Sequence, residues 1–298
     1  MLYEGFDWNL LKSPGFKEDS VREELVAPLL RALGYSASGP HLIHRSRPLK
    51  HPFVYFGTKS HRIEIIPDYV FEVTGKFRWV LDAKAPSEST TNGRNPAQAY
   101  SYAMHPEIRA NIFALCNGCH FTAYHVLSLR PFAHFELKNI HLAWPELAAR
   151  LAPNAFAGIE EVFRPDLGLH LHRLGFERFQ QIMFPFAQIM HAARVADDLY
   201  TVSAGCILEG QEYCASFDFP AALLPQFVAA LPAEVQPVVS DQLSRSPFTA
   251  DLRAVMPSLI ITCKLSGDVV NAKDHREQFC PFTVVLFKPC AKVPGWSV

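Results

Sequence analysis

Apolar positions recur at helical spacing most clearly near the start of the chain. Val21, Leu25, Leu29 and Leu33 form one stripe, which predicts a helix from about Lys17 to Leu33 that Gly34 would end. Glu23 and Glu24 fall in its first half, where the helix dipole favours acids. Two short apolar runs then flank Thr74-Gly75-Lys76, namely Ile65 to Val73 and Phe77 to Leu81. They predict a β-hairpin. Pro96 suits the first turn of a helix that reaches about Met104 and carries Gln98 and Tyr102 on one face. Ala110 to Cys116 and His120 to Leu127 flank Asn117-Gly118, a strong hairpin signal. The order so far is helix, strand, strand, helix, strand, strand.

The pattern then changes. Residues 128 to 166 read as connective, broken by Pro131, Pro145, Pro153 and Pro165, with a short helix from Trp144 to Leu151. A boundary near 160 divides the chain into segments 1–160 and 161–298. Gly175 to Ala196 predicts a helical segment interrupted near Pro185. Tyr200 to Leu208 and Tyr213 to Phe219 predict a hairpin around Glu209-Gly210-Gln211. Leu223 to Leu231 reads as a helix, and Ser258 to Leu265 and Phe282 to Phe287 as strands. The second half is thus expected to be an α+β module. Its His170 and His172, two apart, are expected on a local strand as surface histidines rather than as metal ligands.

Composition narrows the function classes. The 298 residues could hold one large domain or two ordinary ones, and an aromatic share of 12% allows a sizeable core. A net charge of −1 excludes any global pull toward nucleic acid, so such contacts must be local. Residues 41 to 62 supply a local patch. They contain Arg45, Arg47, Lys50, Lys59 and Arg62 with four histidines and no acid. Interleaved with aromatic residues, this stretch suits phosphate-backbone contacts; the alternative is a solvated loop. No apolar run approaches transmembrane length, and no signal-peptide pattern is visible at the N-terminus. Seven scattered cysteines then point to reduced thiols in a cytoplasm. Cys116 and Cys119 have the spacing of half a zinc site, but no second pair follows and the intervening Asn-Gly belongs to a turn. There is no G-x-x-x-x-G-K-[S/T] loop, hence no motor of that type.

The central hairpin carries candidate chemistry. Asp68 opens its first run and Asp82-Ala83-Lys84 closes the second. Antiparallel pairing brings these ends together. Alternation puts Asp82 and Lys84 on one side and Leu81 and Ala83 on the other. Two carboxylates, with the Ala83 carbonyl, could hold Mg²⁺ or Mn²⁺, and the ammonium could orient a water or stabilise charge on a phosphate. Phosphodiester hydrolysis is the reaction that fits.

The wider spacing resembles the PD-(D/E)xK nuclease superfamily, and within it the N-terminal nuclease domain of type I restriction enzyme R subunits. The matching residues are Glu24, Pro67-Asp68, Asp82-Ala83-Lys84, Gln98-Ala-Tyr-Ser-Tyr102 and Ala114 to Gly118, within residues 17 to 127. The resemblance implies an α/β (α+β) fold, a restriction-endonuclease-like core with a central four-stranded mixed sheet flanked by helices. It implies Asp68 and Asp82 as metal ligands, Glu24 as an assisting acid, Lys84 as the water-orienting residue, and Gln98 and Tyr102 as contacts to the substrate backbone or as braces of the site. R subunits carry a helicase motor after the nuclease, and no such motif is visible here. The expectation is a Mg²⁺-dependent DNA endonuclease of prokaryotic defence, with Arg45, Arg47, Lys50 and Lys59 contacting substrate. The alternative is a non-catalytic nucleic-acid-binding or regulatory module on the same fold. Duplex cleavage needs two active sites or two events, and a homodimer would supply the former. DNA against RNA, and the role of segment 161–298, stay open.

Overall fold

The computed structural model describes residues 2–50, 54–56, 59–61, 64–156, 164–176, 180–208, 210–271 and 278–290, with residues 54–56 and 59–61 described by their backbone alone. The chain divides into two compact units, Met1–Val162 and Phe163–Val298. The boundary expected near 160 lies outside the described residues, as do His51, Phe53 and Arg62 of the cationic stretch. Among the described residues no helix is long and apolar enough to cross a membrane.

The first unit opens on α1 (Glu18–Val21), a π-helical turn (Arg22–Val26) and α2 (Ala27–Ala32), which run on as one helix. Pro28 has no N–H to offer the Glu24 carbonyl, and its ring would press on that oxygen. The wider turn just before it accommodates both. Val21, Leu25, Leu29 and Leu33 are all buried, as their spacing predicts. Next come β1 (His41–Arg45), β2 (Leu49–Lys50), β3 (Val54–Phe56), β4 (Lys59–His61) and β5 (Glu64–Ile65). β2 pairs with β5, and β3 with β4, as small separate ribbons. The central hairpin is β6 (Tyr69–Val73) and β7 (Lys76–Ala83). Thr74 and Gly75 have φ of 50° and 81°, the two-residue turn whose twist suits a hairpin. α3 (Arg94–Met104), β8 (Ile112–Cys116), β9 (His120–His125), β10 (Pro131–Glu136) and α4 (Ile140–Leu151) complete the unit.

The sheet runs β1-β6-β7-β8-β9-β10, and only β7 and β8 are parallel. The expected four strands are therefore the middle of a six-stranded mixed sheet. β1 lies in the cationic stretch, for which no strand was expected, and β10 in the stretch read as connective. Both are edge strands, which lack the apolar run of a strand buried on both faces. The first hairpin strand is also shorter than expected, because Glu64–Ile65 pairs with Leu49–Lys50 instead. One face of the sheet packs on α1, α2 and α4 through Leu25, Leu29, Phe71, Trp79, Leu81, Phe121 and Leu147. Phe71 and Trp79 stack at 3.7 Å. Trp79 Nε1 donates to Tyr35 Oη at 3.0 Å, and Tyr35 Oη donates to the Leu151 carbonyl at 2.8 Å. The opposite face carries Phe113 against Tyr100 of α3 and Tyr124 of β9.

The second unit comprises α5 (Leu167–Arg173), β11 (Gln181–Ala196), β12 (Leu199–Leu208), β13 (Gln211–Pro220), α6 (Leu224–Ala230), α7 (Gln236–Ser244), β14 (Thr249–Asp251), β15 (Ser258–Leu265), β16 (Val270–Asn271), β17 (Gln278–Phe279) and β18 (Phe282–Pro289). Two expectations fail here. The segment read as a helix ending at Ala196 is the long strand β11. Its Ala, Gln and Met content favours a helix, but pairing with β15 through its first half and β12 through its second overrides propensity. Pro185 falls at the register shift between Phe184 and Ala187, where a strand tolerates it. His170 and His172 sit on helix α5 rather than a strand, and His170 is buried. β11, β12, β13, β18 and β15 close into a ring, since β11 pairs with both β12 and β15, and β13 runs parallel to β18. This is a five-stranded Greek-key barrel of the OB type. Phe227 of α6 closes one end against Phe219 and Phe287 at 5.4 and 5.2 Å.

Candidate active site

Register fixes the ends of the central hairpin. Tyr69 pairs with Leu81, so Asp68 lies beside the last residues of β7. Pro67 has no N–H to extend the ladder, and the Asp68 side chain takes part instead. Its Oδ2 accepts the Ala83 N–H at 2.7 Å. On the other side β7 runs parallel to β8, and the Lys84 N–H donates to the Cys116 carbonyl at 2.9 Å. The end of β7 is thereby held from both flanks.

Trp79, Leu81 and Ala83 face the α1/α2 side, so alternation turns Asp82 and Lys84 toward α3. Lys84 Nζ stands 2.5 Å from Asp82 Oδ2, with side chains 9% and 5% exposed. Asp82 Oδ2 is buried, and Lys84 is its ion-pair partner. Lys84 Nζ also donates to Gln98 Oε1 at 3.4 Å, and Gln98 Nε2 donates to Tyr102 Oη at 2.7 Å. Asp82, Lys84, Gln98 and Tyr102 thus form one continuous polar chain. Gln98 and Tyr102 sit four apart on α3, which presents both to the end of β7.

Burial pushes the Asp82 carboxyl up to about 6; Lys84 opposes the rise, and the Asp68 and Glu18 carboxylates add to it. Burial pulls the Lys84 ammonium down, but contact with Asp82 and the nearby Glu18 and Asp68 leave it raised. Glu18 is likewise raised, by burial first and then by Asp68 and Glu88, against the pull of Lys84 and Arg22. Burial and the Asp82 charge raise the Tyr102 hydroxyl.

Glu18 of the first helix is electrostatically coupled to Asp68 and Lys84. Glu24 is exposed, and among the described residues no hydrogen bond or ion pair ties it to the cluster. Glu18 and Arg22 are four apart and share a face; that spacing was a signal available in the sequence. Arg22 was missed with it. Arg22 Nη1 lies 3.6 Å from Asp68 Oδ1. The cationic stretch is split. Arg45 is exposed at the Asp68 end, its guanidinium 5.9 Å from the Tyr69 ring. Arg47 lies over Phe77 at 4.8 Å and 3.9 Å from Glu107. Phe77 precedes Asp82 by five residues on β7, roughly 16 Å. The Lys50 N–H also donates to Glu107, and its side chain is exposed. The structure does not bring Arg47 and Lys50 into the cluster, and the Lys59 side chain lies outside the described residues. Cys116 and Cys119 form no disulfide, and burial pushes the Cys116 thiol up to about 12, unlike a redox cysteine.

The residues suit a hard divalent cation. The ligands on offer are carboxylate and carbonyl oxygens, one of them buried. Mg²⁺ is commonly held by one or two carboxylates, with water and substrate phosphate completing the shell. Among the described residues no group of three or more His, Cys, Asp and Glu side chains is gathered into a ready cage.

No protein family matches the chain, and no curated protein does. Among solved structures, it is similar to a fragment assigned to the HsdR subunit of a type I restriction enzyme from Vibrio vulnificus YJ016. Identity is 20%, the TM-score is 0.32, and the match covers 42% of this chain and 25% of that one. The chain therefore spans about a quarter of that neighbour's length. So remote a likeness carries no argument about activity, and the weight falls on the cluster itself.

Proposed function

We propose that the first unit is a nuclease that hydrolyses phosphodiester bonds of DNA with the help of Mg²⁺ or Mn²⁺. The observation that carries this reading is the polar chain Asp82–Lys84–Gln98–Tyr102 beside Asp68. Residues from a hairpin and a helix converge there, at the end of β7 in a six-stranded mixed sheet. Asp68, Asp82 and the Ala83 carbonyl would hold the ion, with Glu18 taking the role first given to Glu24. A bound ion supplies a polarised phosphoryl oxygen and a more acidic water. Lys84 would point its ammonium at that water or at the phosphate, Gln98 would keep Lys84 in place, and Tyr102 would brace Gln98. Asp68 accepts the Ala83 N–H, which aims one carboxylate oxygen and leaves the other for the ion. Cleavage of both strands would engage two copies of the chain, and a role in prokaryotic defence is part of this reading.

A second reading is a nucleic-acid-binding or regulatory module without catalysis. The lack of a ready three-ligand cage among the described residues favours it. Neither reading assigns the barrel a share in holding nucleic acid. Its β12 and β13 carry Glu212 and Asp218 and no basic residue, where an oligonucleotide face needs cations. Incubation of the full chain with plasmid, linear and single-stranded DNA and with RNA, with and without Mg²⁺, decides between the readings. Metal-dependent cuts that vanish in Lys84→Ala support the nuclease; binding with no cut under any condition supports the module.

A further inference from the structure

Two arginines stand at the Asp68 end of the cluster, outside the chain from Asp82 to Tyr102. Arg22 Nη1 is 3.6 Å from Asp68 Oδ1 and Nη2 donates to Ser46 Oγ at 3.3 Å, while its buried Nε has no hydrogen-bond partner. Arg22 and Arg45 both approach the ring of Tyr69, at 5.8 and 5.9 Å. The Tyr69 hydroxyl donates to the Arg22 carbonyl at 3.4 Å, one of the carbonyls in the π-helical turn. Arg22 is therefore anchored through its backbone, and its guanidinium reaches Asp68 from the helix.

We infer that Arg22 is a placeholder cation, which compensates Asp68 while no divalent ion is bound and, with Arg45 and Ser46, takes a backbone phosphate of the nucleic-acid substrate once an ion claims Asp68. This rests on the nuclease reading above. Two cations cannot share one carboxylate oxygen cheaply in a partly buried site, so the guanidinium and the ion compete for Asp68. A displaced guanidinium has a fork of donors suited to phosphate, including the Nε that is unused now. Arg45 has no ion pair among the described residues, so its charge is available to the same phosphate.

The competition gives a sign that a merely structural arginine would not. Mn²⁺ is titrated calorimetrically into wild type, Arg22→Gln and Arg22→Lys, each checked by circular dichroism melting. Arg22→Gln is expected to bind Mn²⁺ about tenfold more tightly, and Arg22→Lys within about twofold of wild type. A fluorescent duplex oligonucleotide is then titrated, in saturating Mn²⁺, into the Lys84→Ala protein with and without Arg22→Gln, Arg22→Lys or Arg45→Gln. Each added substitution should weaken binding by about tenfold, and Arg45→Gln should reduce the salt slope by about 0.9. Equal or weaker Mn²⁺ binding by Arg22→Gln overturns this inference alone, as does oligonucleotide binding that ignores all three substitutions. Absence of Mn²⁺ binding in wild type overturns the metal-site reading and this inference with it. If Arg22→Gln fails to fold, the oligonucleotide arms of Arg22→Lys and Arg45→Gln still decide.

Discussion

Lys84 Nζ meets Asp82 Oδ2 at 2.5 Å in a setting that excludes most water. Each charge is tolerated there because of the other. Replacing Lys84 by Met keeps the bulk and removes the charge. Cleavage in a plasmid assay should fall by about 10²–10⁴-fold or more. Denaturant unfolding should show a loss of at most about 3 kcal/mol, because Asp82 can take up a proton when its cation is gone. Full activity in this variant would end the assignment of Lys84.

Glu18 and Glu24 offer a direct contrast on one helix. Glu18→Gln should weaken Mn²⁺ binding and slow cleavage by about tenfold or more, since it removes a charge coupled to Asp68 and Lys84. Glu24→Gln, at an exposed position, should change neither by more than about twofold. The reverse ranking in a side-by-side titration would return the role to Glu24.

Tyr35 closes a buried hydrogen-bond relay between Trp79 and the Leu151 carbonyl. Tyr35→Phe leaves a donor and an acceptor unsatisfied in the core and should cost about 2 kcal/mol in urea unfolding. Wild-type stability would mean that water has entered and replaced the hydroxyl.

In the second unit, two buried groups on or beside α5 titrate in opposite senses. Burial, helped by Arg173, pushes His170 down to about 4 from 6.5. The unfolded chain takes up that proton first, so the stability His170 contributes is full above pH 6.5 and is lost as the pH falls toward 4. Burial pushes Asp166 up to about 6 from 3.8, although its Oδ1 accepts the Leu169 and Cys280 N–H groups. Its contribution is present below about pH 4 and is lost as the pH rises through 6. Each effect is about 3 kcal/mol, and in wild type they offset. His170→Phe should therefore gain stability on acidification from pH 7 to 4.5, and Asp166→Asn should lose it. Parallel pH profiles for both variants in urea unfolding would show that neither group titrates as described.

Gly168 explains why α5 is so tightly placed. A Cβ there would overlap the Cys280 carbonyl oxygen. Gly168→Ala should force α5 away from the Cys280 segment and cost about 1–3 kcal/mol or more. A thermal melt like that of wild type would show that the helix can shift freely.

The sequence made legible what depends on local pattern. The Thr74-Gly75 and Asn117-Gly118 turns, the α2 stripe and the α3 face carrying Gln98 and Tyr102 can all be read from spacing. So could the alternation that puts Asp82 and Lys84 on one side. What was illegible depends on partners distant in sequence. β11 has the composition of a helix and becomes a strand because two other strands claim it. β1 and β10 are edge strands with too few apolar residues to stand out. Glu24 looked suitable by order along the chain, but facing is set by where the helix docks, and the π-helical turn at Arg22–Val26 shifts its phase.

The closed ring of the second unit has a kinetic consequence. β12 can zip onto β11 and β13 as sequence neighbours. The ring shuts only when Gln181 finds Lys264 and Phe217 finds Phe282, across a large part of that unit's length. Searches over such distances are slow, because loop entropy is lost before any contact repays it. The first unit, built largely from adjacent hairpins, has fewer such searches to make. In refolding experiments its tryptophan signal at Trp79 should recover ahead of the barrel's full protection from hydrogen exchange. A nascent chain would then carry an assembled candidate active site while its second half was still finding its partners.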